Sequence, residues 1–157
     1  MKKQPQAERT DWGALGARAF VGFLFIVSGY SKAAYPPEAF AAALEGYRLF
    51  PDAWLMPMAM VVPWVELLAG AYLLMGFNIR RMALLLLAML GVFELVLMSV
   101  IARNIDLASC GCYGAYGPHF TPRQAIVFDL ALIVMTIYVL IKSRQPFSLD
   151  AWIEKGI

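Results

Sequence analysis

Apolar residues in this chain fall into four long blocks separated by short polar stretches, at residues 13–34, 55–77, 82–102 and 124–141. About 20 helical residues cross a ~30 Å hydrocarbon core, so each block has the length of one transmembrane span. The pattern predicts an all-α membrane protein, a four-transmembrane-helix bundle. Between the first two blocks the pattern changes. Pro36 and Pro37 break the first helix and are suited to open another, since proline fits a first helical turn. Ala39, Phe40, Ala43, Leu44, Tyr47 and Phe50 then recur at helical spacing, with Glu38, Glu45 and Arg48 among the other positions. This predicts an amphipathic extracytoplasmic helix between helices 1 and 2, lying in the interface plane or capping the bundle.

Composition narrows the class without changing it. A chain of 157 residues with 61% hydrophobic and 15% charged residues is far from a soluble average and suits a single integral membrane domain over 1–157. The net charge of +2 comes with no basic-aromatic stripe, so no nucleic-acid partner is expected. The polar N-terminal residues lead into an apolar run long enough to span, and no cleavable signal peptide is expected. There is no internal repeat and no low-complexity segment.

Basic residues set the orientation. With both ends inside, the cytoplasmic flanks hold Lys2, Lys3, Arg9, Arg18, Arg80, Arg81, Lys142, Arg144 and Lys155; the other side holds Lys32, Arg48, Arg103 and Arg123. Cytoplasmic loops favour Lys and Arg, so the expected topology is N-in and C-in, with a tight turn at residues 78–81. The loop between Arg103 and Arg123 then faces the extracytoplasmic side, where disulfides persist.

Ionisable residues also fall within the spans. At 1.5 Å of rise per residue, Glu66 lies ~16 Å into the second helix, Glu94 ~13 Å from the outer end of the third and Asp129 ~9 Å into the fourth. Lys32 closes the first helix on the same side. A charge at the centre of an isolated span costs about 2.5–3.5 kcal/mol on insertion scales, so such groups should face one another or water. The three acids are expected to balance Lys32, Arg103 and Arg123 in one polar cluster, either as glue between helices or as a polar cavity serving the outer loop.

That loop carries the chemistry. It reads SCGCYGAYGPH over residues 109–119 and holds the only two cysteines, Cys110 and Cys112. Three glycines and a proline make it a turning segment without regular structure. A disulfide closed across Gly111 would make a small strained ring, and loop entropy credits it with only ~1.6 kcal/mol. Strain lowers this further and raises the reduction potential, so the pair suits electron exchange better than stapling. Cationic neighbours would favour the thiolate. Soft-metal binding of a copper(I) type is the competing chemistry, with Cys110, Cys112 and His119 as ligands; a non-catalytic scaffold subunit is the third reading. Met56, Met58 and Met60 are read as apolar packing.

Taken in order, these segments resemble a known family. GFLFIVSGYSK at 22–32, PEAF at 37–40, YRLFP at 47–51, PWVELLAG at 63–70 and CGCYG at 110–114 are similar to the MauE family of methylamine-utilisation membrane proteins, within the DoxX-like four-helix group. The resemblance runs over about residues 15–141. It implies an accessory redox role at the extracytoplasmic face of a bacterial inner membrane, beside a thioredoxin-fold partner. It marks Cys110 and Cys112 as the redox pair and Lys32 and Glu66 as polar family positions. The family often has an acid where this chain has Ser109 and a Phe where it has Tyr113, which bears on how readily the pair ionises. By analogy with other four-helix membrane thiol oxidoreductases, quinone is the cofactor to consider, although this chain lacks their second cysteine pair.

Overall fold

A computed structural model describes residues 11–105 and 121–142, and every regular element among them is helical. The helices are α1 (Trp12–Ala33), α2 (Pro37–Gly46), α3 (Asp52–Met75), α4 (Ile79–Ala102) and α5 (Pro122–Ile141). Their starts follow local chemistry. The Asp11 carboxylate accepts the Ala14 N–H at 3.3 Å and caps α1. Pro37 and Pro122 occupy first-turn positions in α2 and α5. Thr121 and Gln124 form a reciprocal capping box at the head of α5.

Two boundaries differ from the sequence expectation. The turn between α3 and α4 lies at residues 76–78 rather than 78–81. Gly76 (φ 74°) and Asn78 (φ 51°) take the left-handed backbone conformations that reverse the chain, and Arg80 and Arg81 already belong to the first turn of α4. α2 stops at Gly46, short of Phe50, where Arg48 adopts φ 50° and turns the chain toward Pro51. Helical spacing alone does not register such backbone reversals.

α1, α3, α4 and α5 are each long and apolar enough to cross a membrane. Their outward residues agree with that environment: Phe23, Trp64, Leu68, Leu95, Val127 and Val134 are all exposed, in a pattern that would be costly in water. The chain is therefore a multi-pass membrane protein.

The tightest helix contact joins α1 and α3. A Cβ at Gly22 would sit 2.9 Å from the Gly70 carbonyl oxygen, and one at Gly29 would sit 2.6 Å from the Pro63 carbonyl oxygen. Only residues without a side chain let two backbones come this close. The remaining packing divides into two apolar clusters. One, near the α3–α4 turn, gathers Val21, Leu73, Leu86, Leu132 and Val139. The other gathers Phe40, Leu44 and Tyr47 against Ala59, Leu97, Val100 and Ala125, so α2 packs onto the opposite end of the bundle. At the α3–α4 end, the Tyr138 hydroxyl donates to Asp11 at 3.0 Å and Lys142 approaches it at 3.5 Å, joining the start of α1 to the end of α5.

Candidate functional site: a buried ion pair beside an aromatic cavity

The α1–α3 seam is what brings Lys32 to Glu66. The two helices run antiparallel, with Gly22 against Gly70 and Gly29 against Pro63, and the long Lys32 side chain reaches back along the seam to Glu66. The Lys32 ammonium donates to both Glu66 carboxylate oxygens, at 2.7 and 2.8 Å. It also donates to the Ser28 hydroxyl at 3.0 Å, and Ser28, one turn back on α1, donates onward to Glu66 at 3.0 Å. The Phe40 ring of α2 lies 5.2 Å from the ammonium, within cation–π range. Both charged side chains are about nine-tenths or more buried. Burying two charges is tolerated only when they are paired and their remaining hydrogen-bonding capacity is filled. Here the helix spacing, the hydroxyl and the ring together meet that condition.

Beside this triad lies a cavity of about 340 Å³ bounded by all five helices. Its walls are mostly apolar and include six aromatic rings: Phe25, Phe40, Tyr47, Phe50, Phe93 and Phe128. Ser28, Lys32, Glu66 and Asp129 supply its polar lining. Asp129, on α5, is 6% exposed, and its Oδ2 has no hydrogen-bond partner among the described residues. Burial, and next the charge of Asp129, push the Tyr47 hydroxyl above its ordinary range, so it stays protonated at physiological pH. Glu94, on α4, is equally buried and both its oxygens lack partners among the described residues, but it is not part of the cavity wall.

The polar cluster is thus smaller than charge balance alone suggested. Lys32 and Glu66 come together, and Asp129 lines the same cavity. Arg103 does not join them: its guanidinium donates to the backbone carbonyls of Tyr47 at 2.6 Å and Arg48 at 3.0 Å, and to Ser99. Those carbonyls end α2, where they lack helical partners, and a guanidinium satisfies them better than it would a distant carboxylate. Arg123 is exposed in the first turn of α5. Arg18, counted as a flanking charge, is instead 5% exposed in the second turn of α1. Met58 lines the cavity, whereas Met60, read as packing, is 50% exposed.

Ser28 and the cavity-lining Tyr47 are residues the sequence reading missed. The signal for Ser28 was available: it precedes Lys32 by four positions, and so by one turn on the same helix face. Cys110, Cys112 and His119 lie outside the described residues, in segment 106–120 between α4 and α5. The Arg103 bonds put the exit from α4 at the α2 end of the bundle, and α5 restarts from that end with Ala125 packed in the same cluster as Phe40 and Tyr47.

Against known families, the model for methylamine utilisation protein MauE matches residues 10–142. The chain belongs to the MauE family. No curated protein and no solved structure matches it. The MauE match takes in all five helices, the buried Lys32–Glu66 pair and the segment with the two cysteines.

Proposed function

We propose that this MauE-family protein exchanges electrons between Cys110–Cys112 and a thioredoxin-fold protein on the extracytoplasmic side of a bacterial inner membrane. The observation that carries this reading is the spacing of the chain's only two cysteines across a single glycine, in a stretch of sequence whose described flanks, Arg103 and Ala125, both pack at the α2 end of the bundle. A one-residue ring contributes little as a staple, so the pair is better suited to opening and closing.

The exchange is a two-electron step. A thiolate of the partner attacks one sulfur of the oxidised pair, the intramolecular S–S bond breaks, and the second cysteine leaves as a thiolate. The partner's other thiolate then resolves the mixed disulfide. The partner ends oxidised, and Cys110 and Cys112 end reduced with a proton each. The relative potentials of the two pairs set the direction, and the same atoms run the reverse reaction.

The test is trapping in intact membranes. Either Ala variant keeps a single thiol, which can attack an oxidised partner but lacks the second cysteine that resolves the mixed disulfide in that direction; the variant that keeps the attacking cysteine should trap a reductant-sensitive adduct, visible as a mass shift after alkylation, and the other should abolish it. Alkylation of the unmodified protein should find the pair oxidised and easily reduced. Full pathway activity in both Cys110→Ala and Cys112→Ala would sink the proposal.

A further inference from the structure

The buried positions of α4 and α5 match one another in antiparallel order. Ala83, Leu86, Leu90, Glu94 and Leu97 recur at steps of three and four along one face of α4. Ala125, Asp129, Leu132, Thr136 and Val139 do the same on α5. Ala83 and Val139 belong to one apolar cluster, as do Leu90 and Leu132, while Leu97 and Ala125 share the other. That register sets Glu94 opposite Asp129, between the Leu90–Leu132 and Leu97–Ala125 layers. The two are close enough for the charge of Glu94 to act on Asp129. At this level the seam puts an acid against an acid.

The cations at this end of the bundle are engaged elsewhere. Lys32 on α1, whose charge reaches Asp129, gives its three protons to Glu66 of α3 and to Ser28. Arg103 is held by the carbonyls that end α2, and Arg48 and Arg123 are exposed. Tyr47, at the end of α2, is the other titratable group in range of Asp129 and is protonated. Both acids are more than nine-tenths buried, and neither oxygen of Glu94 nor Oδ2 of Asp129 has a hydrogen-bond partner among the described residues. An unpaired carboxylate in an apolar interior neutralises rather than stay charged, and two carboxylates at one site do not both ionise. A carboxylate only accepts hydrogen bonds, whereas a protonated acid also donates one. A single proton therefore relieves the repulsion and the unmet bonding together.

We propose that Glu94 and Asp129 form a proton-binding site within the membrane, with the proton held on Glu94 and donated to the Asp129 carboxylate. Asp129 has the Lys32 ammonium in range to balance its charge, whereas no cation among the described residues acts on Glu94. The site clasps α4 to α5 through a neutral acid and a carboxylate, and it requires nothing of the cysteines.

The test is infrared spectroscopy of the full-length protein in nanodiscs of ether-linked lipid, which has no ester carbonyl to mask a protonated carboxyl. At about pH 7, where free carboxyls are ionised, the wild type should show a protonated-carboxyl C=O band that moves to lower frequency in D2O. Glu94→Gln, which keeps the size and a donor, should fold and lose the band. Asp129→Asn should keep it at a shifted frequency, because the acceptor changes from a carboxylate to an amide. Unfolding in micelles gives an independent reading. The folded chain binds one proton more than the unfolded chain, so stability falls as pH rises above the ordinary carboxyl range, by up to about tenfold in the unfolding constant per pH unit. Glu94→Gln should flatten that slope. A wild type without the band, a band that survives Glu94→Gln, a band unmoved by Asp129→Asn, or the same pH slope in wild type and Glu94→Gln would overturn the proposal.

Discussion

Consider replacing Glu66 by Leu while Lys32 stays. The ammonium is left nine-tenths buried with its two shortest hydrogen bonds gone and only the Ser28 hydroxyl at 3.0 Å to hold. Breaking a buried pair by removing one partner costs about 3–5 kcal/mol, because the surviving charge keeps its desolvation penalty without compensation. Lys32→Met strands the Glu66 carboxylate in the same way, with one Ser28 bond remaining. The double variant Lys32→Met/Glu66→Leu removes both charges and fills the space with apolar groups of similar length. It should lie within about 1 kcal/mol of wild type, since a buried pair and its hydrophobic replacement are often close in stability. The two single losses therefore should not add, and the coupling energy should be about 3 kcal/mol or more. Reversible unfolding in mixed micelles, titrated with a denaturing detergent, measures all four species. Assaying the same four for thiol exchange separates structure from chemistry: a pair that serves only to register α1 against α3 leaves the double variant active. Single variants indistinguishable from wild type, or a double variant as unstable as the sum of the singles, would refute the coupling argument.

Two further outcomes follow from the helix seam and the end contacts. Gly29→Ala places a Cβ 2.6 Å from the Pro63 carbonyl oxygen and 2.7 Å from the Leu67 nitrogen, so backbone must move; a loss of about 1–3 kcal/mol is expected in the same unfolding assay. Gly16→Ala, which meets nothing within 4 Å, is the control and should be neutral or slightly stabilising. The Asp11 carboxyl is held below its ordinary value of 3.8, first by the Tyr138 hydroxyl, then by the Ala14 N–H and the Lys142 charge. Its contribution is present above that value and is lost as pH falls through the lowered one. The wild-type melting temperature should therefore drop more steeply than that of Asp11→Asn below about pH 4.

The spans were legible in the sequence because hydrophobicity sustained over twenty residues has few other meanings, and the buried positions of Lys32 and Glu66 followed from the same pattern. Their partnership was not forced by it. Three acids and three bases near one end allow several pairings, and the choice was made by Gly29 and Pro63, which bring α1 against α3 closely enough for Lys32 to span the gap. Arg103 was misassigned because hydropathy counts side-chain charges and ignores carbonyls; the end of α2 offers two that only a three-dimensional arrangement brings to α4. The cavity left no one-dimensional trace. Its six rings come from separate segments at no common period, and each reads locally as ordinary packing.

Lys32 has three ammonium protons, and three acceptor atoms surround it: two oxygens of Glu66 and the Ser28 hydroxyl. The single Ser28 proton is in turn engaged by Glu66. The three ammonium protons of α1 are thus matched by acceptors from both helices, and the hydroxyl that accepts one of them also bonds the opposing carboxylate. Such a cluster fastens one helix to another at a single rotational setting, because turning either helix about its axis would break several charge-assisted bonds at once.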